Sequence, residues 1–359
     1  VATFSRRPVF GYVAMVLALI ATGFLGFGLW VHHMFATPIG QLGESFFTAA
    51  STMIAIPSGV QIFCWLVTLW LGKPRFATPL LWVLGFIFIF VLGGLTGVMV
   101  SSVPFDLQAH DTYFVVAHFH YVLIGGAVFP LLGALIYWFP KWTGRMMSEP
   151  LGKLAFWLTF IGVNVTFFPM HFLGLMGMTR RVYTYPVGME GWAQLNLVAS
   201  IGSYIIGAGV LVFAYNFLTS WKAGAVAGDD PWGADTLEWS LPSPPPPYNH
   251  RFIPIVQGRA GLWARTPDAP VVVGLDESHR EVLVTTLMDA EPDNRHESPG
   301  PTAVPFVAAV ITGAFLITLV FTFKATYIWI LPMTLAFAAW GWPRDRGKFV
   351  TRKRVEAAP

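Results

Sequence analysis

Long apolar runs alternate with short polar breaks along most of this chain. The first run spans Val9 to Trp30, and a second runs from Glu44 to Leu71, with Pro57 and Gly59 marking a kink. The third covers Thr78 to Ser101, and the fourth Asp111 to Trp138. A fifth and a sixth cover Leu154 to Leu175 and Leu195 to Ser220. A hydrocarbon core about 30 Å thick takes about 20 helical residues, so each run predicts a transmembrane helix. From Ala223 to Pro301 the pattern breaks into a Pro-, Gly- and acid-rich stretch, with a proline run at 242–247 that favours an extended linker. Val271 to Leu275 and Arg280 to Thr286 have the composition of short strands. Two more apolar runs follow, Ala303 to Phe323 and a shorter Tyr327 to Trp342, with Lys324 between them. The expected fold is all-α, a polytopic transmembrane helix bundle of about eight spans. Residues 1–222 form the core, 223–302 a polar segment on the cytoplasmic side, and 303–359 a two-span extension with a basic tail.

Composition supports this. Of 359 residues, 55% are hydrophobic and 11% charged, where soluble domains carry about 25% charged. The protein is expected in a membrane, surrounded by lipid, as a multi-pass protein. A net charge of +3 gives no reason to expect a nucleic-acid partner. The single cysteine, Cys64, can form no intrachain disulfide. Basic residues sort by side: Arg6-Arg7, then Lys73 and Arg75, then Lys141, Arg145 and Lys153 fall in alternate breaks. Cytoplasmic loops attract Lys and Arg, so these breaks are read as cytoplasmic. Among the six core spans the outer breaks carry no Lys or Arg except Arg180-Arg181. That pair is either solvated or faces an anionic partner at the outer side. The opening residues Thr3 to Arg7 read as a cytoplasmic loop that continues from an upstream part.

The chemistry lies in polar residues that an apolar span should not contain. His118 and His120 sit inside the fourth run, and ionisable groups at such depth are rare and usually functional. On a helix, residues two apart differ by about 200°, so the two imidazoles leave on nearly opposite sides. One metal cannot easily take both, whereas two cofactors flanking the helix could take one each. The alternative is a pair of hydrogen-bonded core histidines. His32-His33 ends the first run, where a relaxed backbone would let both reach one ion; imidazole suits copper, iron and zinc. His110-Asp111 offers a harder metal site, or Asp111 serves as a helix N-cap. His171 also falls toward the outer face. Asn164-Val165-Thr166 matches a glycosylation signal, but it lies within a span and is discounted.

Several blocks together resemble subunit I, the catalytic subunit, of the haem–copper oxidases, most closely the cytochrome c oxidases. They are Trp30 to Phe35, Ala55 to Val60, Leu84 to Phe88, Gly93 to Gly97, His110 to Tyr113, Val116 to Leu123, Phe167 to Gly174 and Met178 to Arg181. The resemblance covers about residues 1–220 and corresponds to helices seven to twelve of a twelve-helix core. It implies two haems of the a type, a copper ion, and a magnesium or manganese ion. His32 and His33 would be two of three copper ligands. His118 would bind the high-spin haem and His120 the low-spin haem, with Phe119 between them. His110 and Asp111 would help hold magnesium or manganese, and Arg180 and Arg181 would pair with haem propionates. The implied reaction is reduction of O2 to water with electrons from cytochrome c, coupled to proton translocation.

Two departures qualify the resemblance. The family's third copper histidine and its crosslinked tyrosine, the second low-spin haem ligand and a proton-path glutamate lie upstream of the matched part. A truncated sequence or a split subunit is therefore expected, with the missing N-terminal half and subunits II and III as partners. Gln61 stands where the family has a proton-path lysine, and an amide cannot carry that charge. Ser58 replaces a frequent threonine. The alternatives are a haem-holding or assembly protein without oxidase activity, a nitric oxide reductase-like relative with non-haem iron in place of copper, and a transporter or channel.

Overall fold

The structure is a computed structural model that describes residues 1–189, 191–246, 260–263, 281–285, 292–297 and 302–341. It separates into two compact units, the first built from Val1–Pro245 with Gln257–Arg265, the second from the remainder.

The helices of the first unit are α1 Ala2–Ser5, α2 Tyr12–Leu29, α3 Gln41–Met53, α4 Ala55–Trp70 and α5 Thr78–Val100. They continue as α6 Val103–Ala109, α7 Tyr113–Leu123, α8 Phe129–Thr143, α9 Glu149–Leu175 and α10 Trp192–Ala223. A 3-10 turn, Trp30–Met34, ends the first span, and a π-helical turn, Ile124–Val128, joins α7 to α8. The second unit contains a hairpin of β1 Glu281–Thr285 and β2 Pro292–Glu297, and the helix pair α11 Val304–Phe321 and α12 Tyr327–Gly341. Across the described residues, seven helical stretches are long and apolar enough to cross a membrane: the six expected in the core, and α11. The fold class is thus all-α and polytopic, with one small hairpin in the second unit. The eighth expected span, α12, is 15 residues long and short of that length. β1 matches the strand expected at 280–286, while the one expected at 271–275 lies outside the described residues.

Local chemistry explains the breaks. The kink expected at Pro57 falls at Ile54, between α3 and α4. Proline has no N–H for the carbonyl four residues back and its ring crowds that carbonyl, which here belongs to Met53. α9 and α10 pack along their lengths through small residues: a Cβ added at Gly202 would lie 2.5 Å from the Thr166 nitrogen. Such stripes let membrane helices approach closely. Trp82, Phe129 and Phe156 stack edge-on in the core where α5, α8 and α9 meet.

The end of the bundle that carries the basic breaks is closed by the stretch after α10. Lys141, expected in a loop, instead lies in the last turn of α8 and is 5% exposed. Its ammonium donates to the carbonyls of Leu241 at 2.6 Å, Asp229 at 3.0 Å and Pro242 at 3.4 Å, and lies 5.1 Å from the centre of the Trp239 ring. The Trp232 indole donates to the Tyr137 carbonyl at 2.8 Å, and Trp232 and Trp239 pack with Phe4 and Leu80. The polar stretch therefore begins as part of the first unit.

Candidate metal and cofactor centre

α7 runs between α5 and α9, and its two histidines divide between them. His118 places Nδ1 3.0 Å from the Gly93 carbonyl oxygen of α5. The His120 Nδ1 lies 2.7 Å from the Val116 carbonyl, and its ring stacks on Phe167 of α9 at 4.1 Å and 12°. The opposite departure expected from helical spacing is what the neighbours show. A carbonyl oxygen only accepts, so in each ring the proton sits on Nδ1 and the lone pair on Nε2. Ligating histidines have this arrangement, with the second nitrogen held by a backbone carbonyl. α5 approaches closely here: a Cβ at Gly97 would lie 3.0 Å from Cε1 of His118 and would crowd the imidazole.

His32 and His33 occupy the 3-10 turn after α2. There they bring their Nε2 atoms to 3.0 Å, with ring centres 4.3 Å apart. On an ideal helix adjacent residues splay by about 100°; the tighter turn removes that separation. Ser51 of α3 holds the Nδ1 of His32 at 3.0 Å. His118 is close enough to interact electrostatically with both. The two Nε2 atoms face each other, as the donors of one bound ion would. Among the described residues, no group of three His, Cys, Asp or Glu side chains converges as a metal site.

The connection before α7 meets the one after α9. Thr112 bridges Thr179 in antiparallel fashion, Tyr113 N donates to the Met178 carbonyl at 2.9 Å, and Arg180 N to the Asp111 carbonyl at 2.7 Å. This brings the Asp111 carboxylate into an ion pair with Arg180. Burial pushes the Asp111 carboxyl up, but the hydrogen bond and charge of Arg180 outweigh it and hold the group below its ordinary range. Asp111 and Arg181 both take left-handed backbone, at φ 57° and 65°. Aspartate tolerates that region better than arginine does. Asp111 is not the N-cap of α7. Thr112 is, accepting from Phe114 N at 3.2 Å, because the left-handed turn at Asp111 carries that carboxylate toward Arg180.

Within the chain, His110 and Asp111 take different protein partners. His110 Nδ1 lies 3.5 Å from Asp106 of α6. Asp106 is 6% exposed, burial pushes its carboxyl up, and it senses His33 as well as His110. Sequence reasoning passed over this residue. Its signal was an aspartate four positions before a histidine, in a break without Lys or Arg. His171 is buried between Phe114 and Tyr121, with Nδ1 on the Phe168 carbonyl at 3.2 Å and a buried Nε2 that has no hydrogen-bond partner among the described residues. Asn164 accepts from the Tyr121 hydroxyl at 2.9 Å inside the bundle, in keeping with its being discounted as a glycosylation site. Gln61 is buried and donates to Thr22 at 2.8 Å, tying α4 to α2.

The family model "Cytochrome C and Quinol oxidase polypeptide I" matches residues 1–205, more than half of the chain. The chain belongs to that family. It is similar to cytochrome c oxidase subunit 1 of Bacillus sp. (strain PS3), 44% identical over 335 residues, covering 93% of this chain and 52% of that protein. The same subunit of Bacillus subtilis (strain 168) is 42% identical over 331 residues, 92% of this chain and 50% of that protein. That of Synechocystis sp. is 46% identical over 286 residues, 80% of this chain and 50% of that protein. The chain thus spans about half the length of the curated relatives it matches. An alignment of 335 residues cannot fit within residues 1–220, so the likeness runs on into the C-terminal part. As a family member with bacterial relatives and, among the described residues, seven apolar helices, it is a multi-pass protein of the bacterial plasma membrane.

Proposed function

We propose that this chain is the distal half of the catalytic subunit of a cytochrome c oxidase, reducing O2 to water with coupled proton translocation. One observation carries the reading: His118 and His120 hold their Nδ1 atoms on backbone carbonyls and direct their rings to opposite neighbours of α7. Family membership implies haem and copper, and the donor chemistry fits both. His118 and His120 would each give Nε2 to a haem, with Phe119 between the two. His32 and His33 would give two of the copper ligands. The remaining ligands would come from helices one to six, on the same chain or on a partner. When bound, these groups supply the redox chemistry; this chain orients the imidazoles and holds their protons on Nδ1.

Arg180 and Arg181 would hold haem propionates, and His110 and Asp111 a magnesium or manganese ion. The ion pair of Asp111 with Arg180 supports a shared anion and cation site at the outer end. The haems would be of the a type, cytochrome c the electron donor, and subunits II and III the neighbours. Metal analysis of the complete complex purified from membranes tests this. The expected result is two haem irons and one copper at the His32–His33 site. Iron without copper would point to a nitric oxide reductase-like relative, and a complex without haem would remove the oxidase reading.

A further inference from the structure

We propose that Thr96 is a positioning residue that acts through His118, setting how strongly its imidazole donates to a metal. The inference rests on reading His118 as a haem ligand. Thr96 Oγ1 lies 3.1 Å from the Nδ1 of His118. The same oxygen lies 2.9 Å from the Gly93 carbonyl and 3.2 Å from that of Leu92, one turn back on α5. A hydroxyl has one proton and two lone pairs. Its proton goes to a carbonyl of α5, so a lone pair faces Nδ1. The Gly93 carbonyl is itself 3.0 Å from Nδ1. Nδ1 therefore meets two acceptors, which keeps the proton there and the lone pair on Nε2. Two acceptors pull harder on the N–H than one, giving the imidazole more anionic character and Nε2 a stronger hold on a metal. Gly97, one residue on, leaves the space in which the ring edge lies against α5.

Thr96→Val keeps the shape and removes the acceptor, while Thr96→Ser restores it. The readout is the iron–histidine stretching band of the reduced His118 haem, by resonance Raman spectroscopy on the complete enzyme. The band is expected to shift to lower frequency in T96V, with a higher midpoint potential for that haem, and to return to the parental position in T96S. A merely structural role would change yield and leave the band in place. An unmoved band in T96V, or an equal shift in T96S, overturns the assignment. Survival of the band in His118→Ala would overturn the haem reading, and this role with it.

Discussion

Where α8 finishes, Lys141 is surrounded by three carbonyls and an indole face, and its protons are matched by acceptors. Nearby, Asn216 is fully buried, accepts from Ser148 N at 3.0 Å and donates to the Ser148 carbonyl at 2.9 Å. Glu149 accepts from Thr78 N at 2.8 Å at the start of α5. At the other end of the same span, where α7 begins, His118 and His120 are matched through Nδ1 only. His118 and His120 spend Nδ1 on carbonyls, and His32 and His33 turn their Nε2 atoms on each other. Polar groups in a membrane protein must find internal partners. Lys141, Asn216 and Glu149 find them within the chain. Among the described residues, the Nε2 atoms of His118 and His120 find none. A residue's chemistry alone does not separate the two cases: Lys141 and His118 are both ionisable groups in one span, and only their partners tell them apart.

This contrast can be broken at either end. The largest effect is expected at Lys141. Lys141→Met leaves its carbonyls without a donor, at about 1–3 kcal/mol for each buried acceptor that finds no other. The stretch 224–246 should then open. Ala234 lies in that stretch at 2% exposure, and the chain's own cysteine, Cys64, is also buried at 2%. Maleimide labelling of Ala234→Cys should therefore run about a hundredfold faster in the K141M background, corresponding to about 3 kcal/mol. Equal rates in both backgrounds would make the lysine cage incidental. The smallest effect is expected from Asp111, whose pair with Arg180 is half exposed and so weakly stabilising. Its carboxyl is held below the ordinary range, so the contribution is present above about pH 4 and is lost as pH falls through the lower folded value. Thermal stability measured against pH should show a shallow acid-side loss that Asp111→Asn abolishes. A profile unchanged by the substitution would show that the pair contributes nothing.

The spans and the paired histidines were legible because both follow from helical period: apolar length marks a span, and a spacing of two marks opposite faces. The break at Ile54 was legible to within three residues from Pro57. Other features depend on contacts between distant segments. Asp111 reads as a cap in isolation; its left-handed turn and its pairing with Arg180 need the strand-like meeting of 111–113 with 178–180. The role of Thr96 needs α5 packed on α7, 22 residues away in the chain. Lys141 reads as a loop charge because its acceptors lie some 90 to 100 residues on, in a stretch whose composition suggests a linker.

The central claim is that the two imidazoles of α7 serve different bound groups. Spectra of the complete enzyme carrying His118→Ala or His120→Ala, with and without carbon monoxide, test it directly. The account predicts that H118A loses carbon monoxide binding and turnover but keeps the low-spin haem signal, and that H120A loses the low-spin signal. Loss of the same signal in both variants, or of neither, would contradict it.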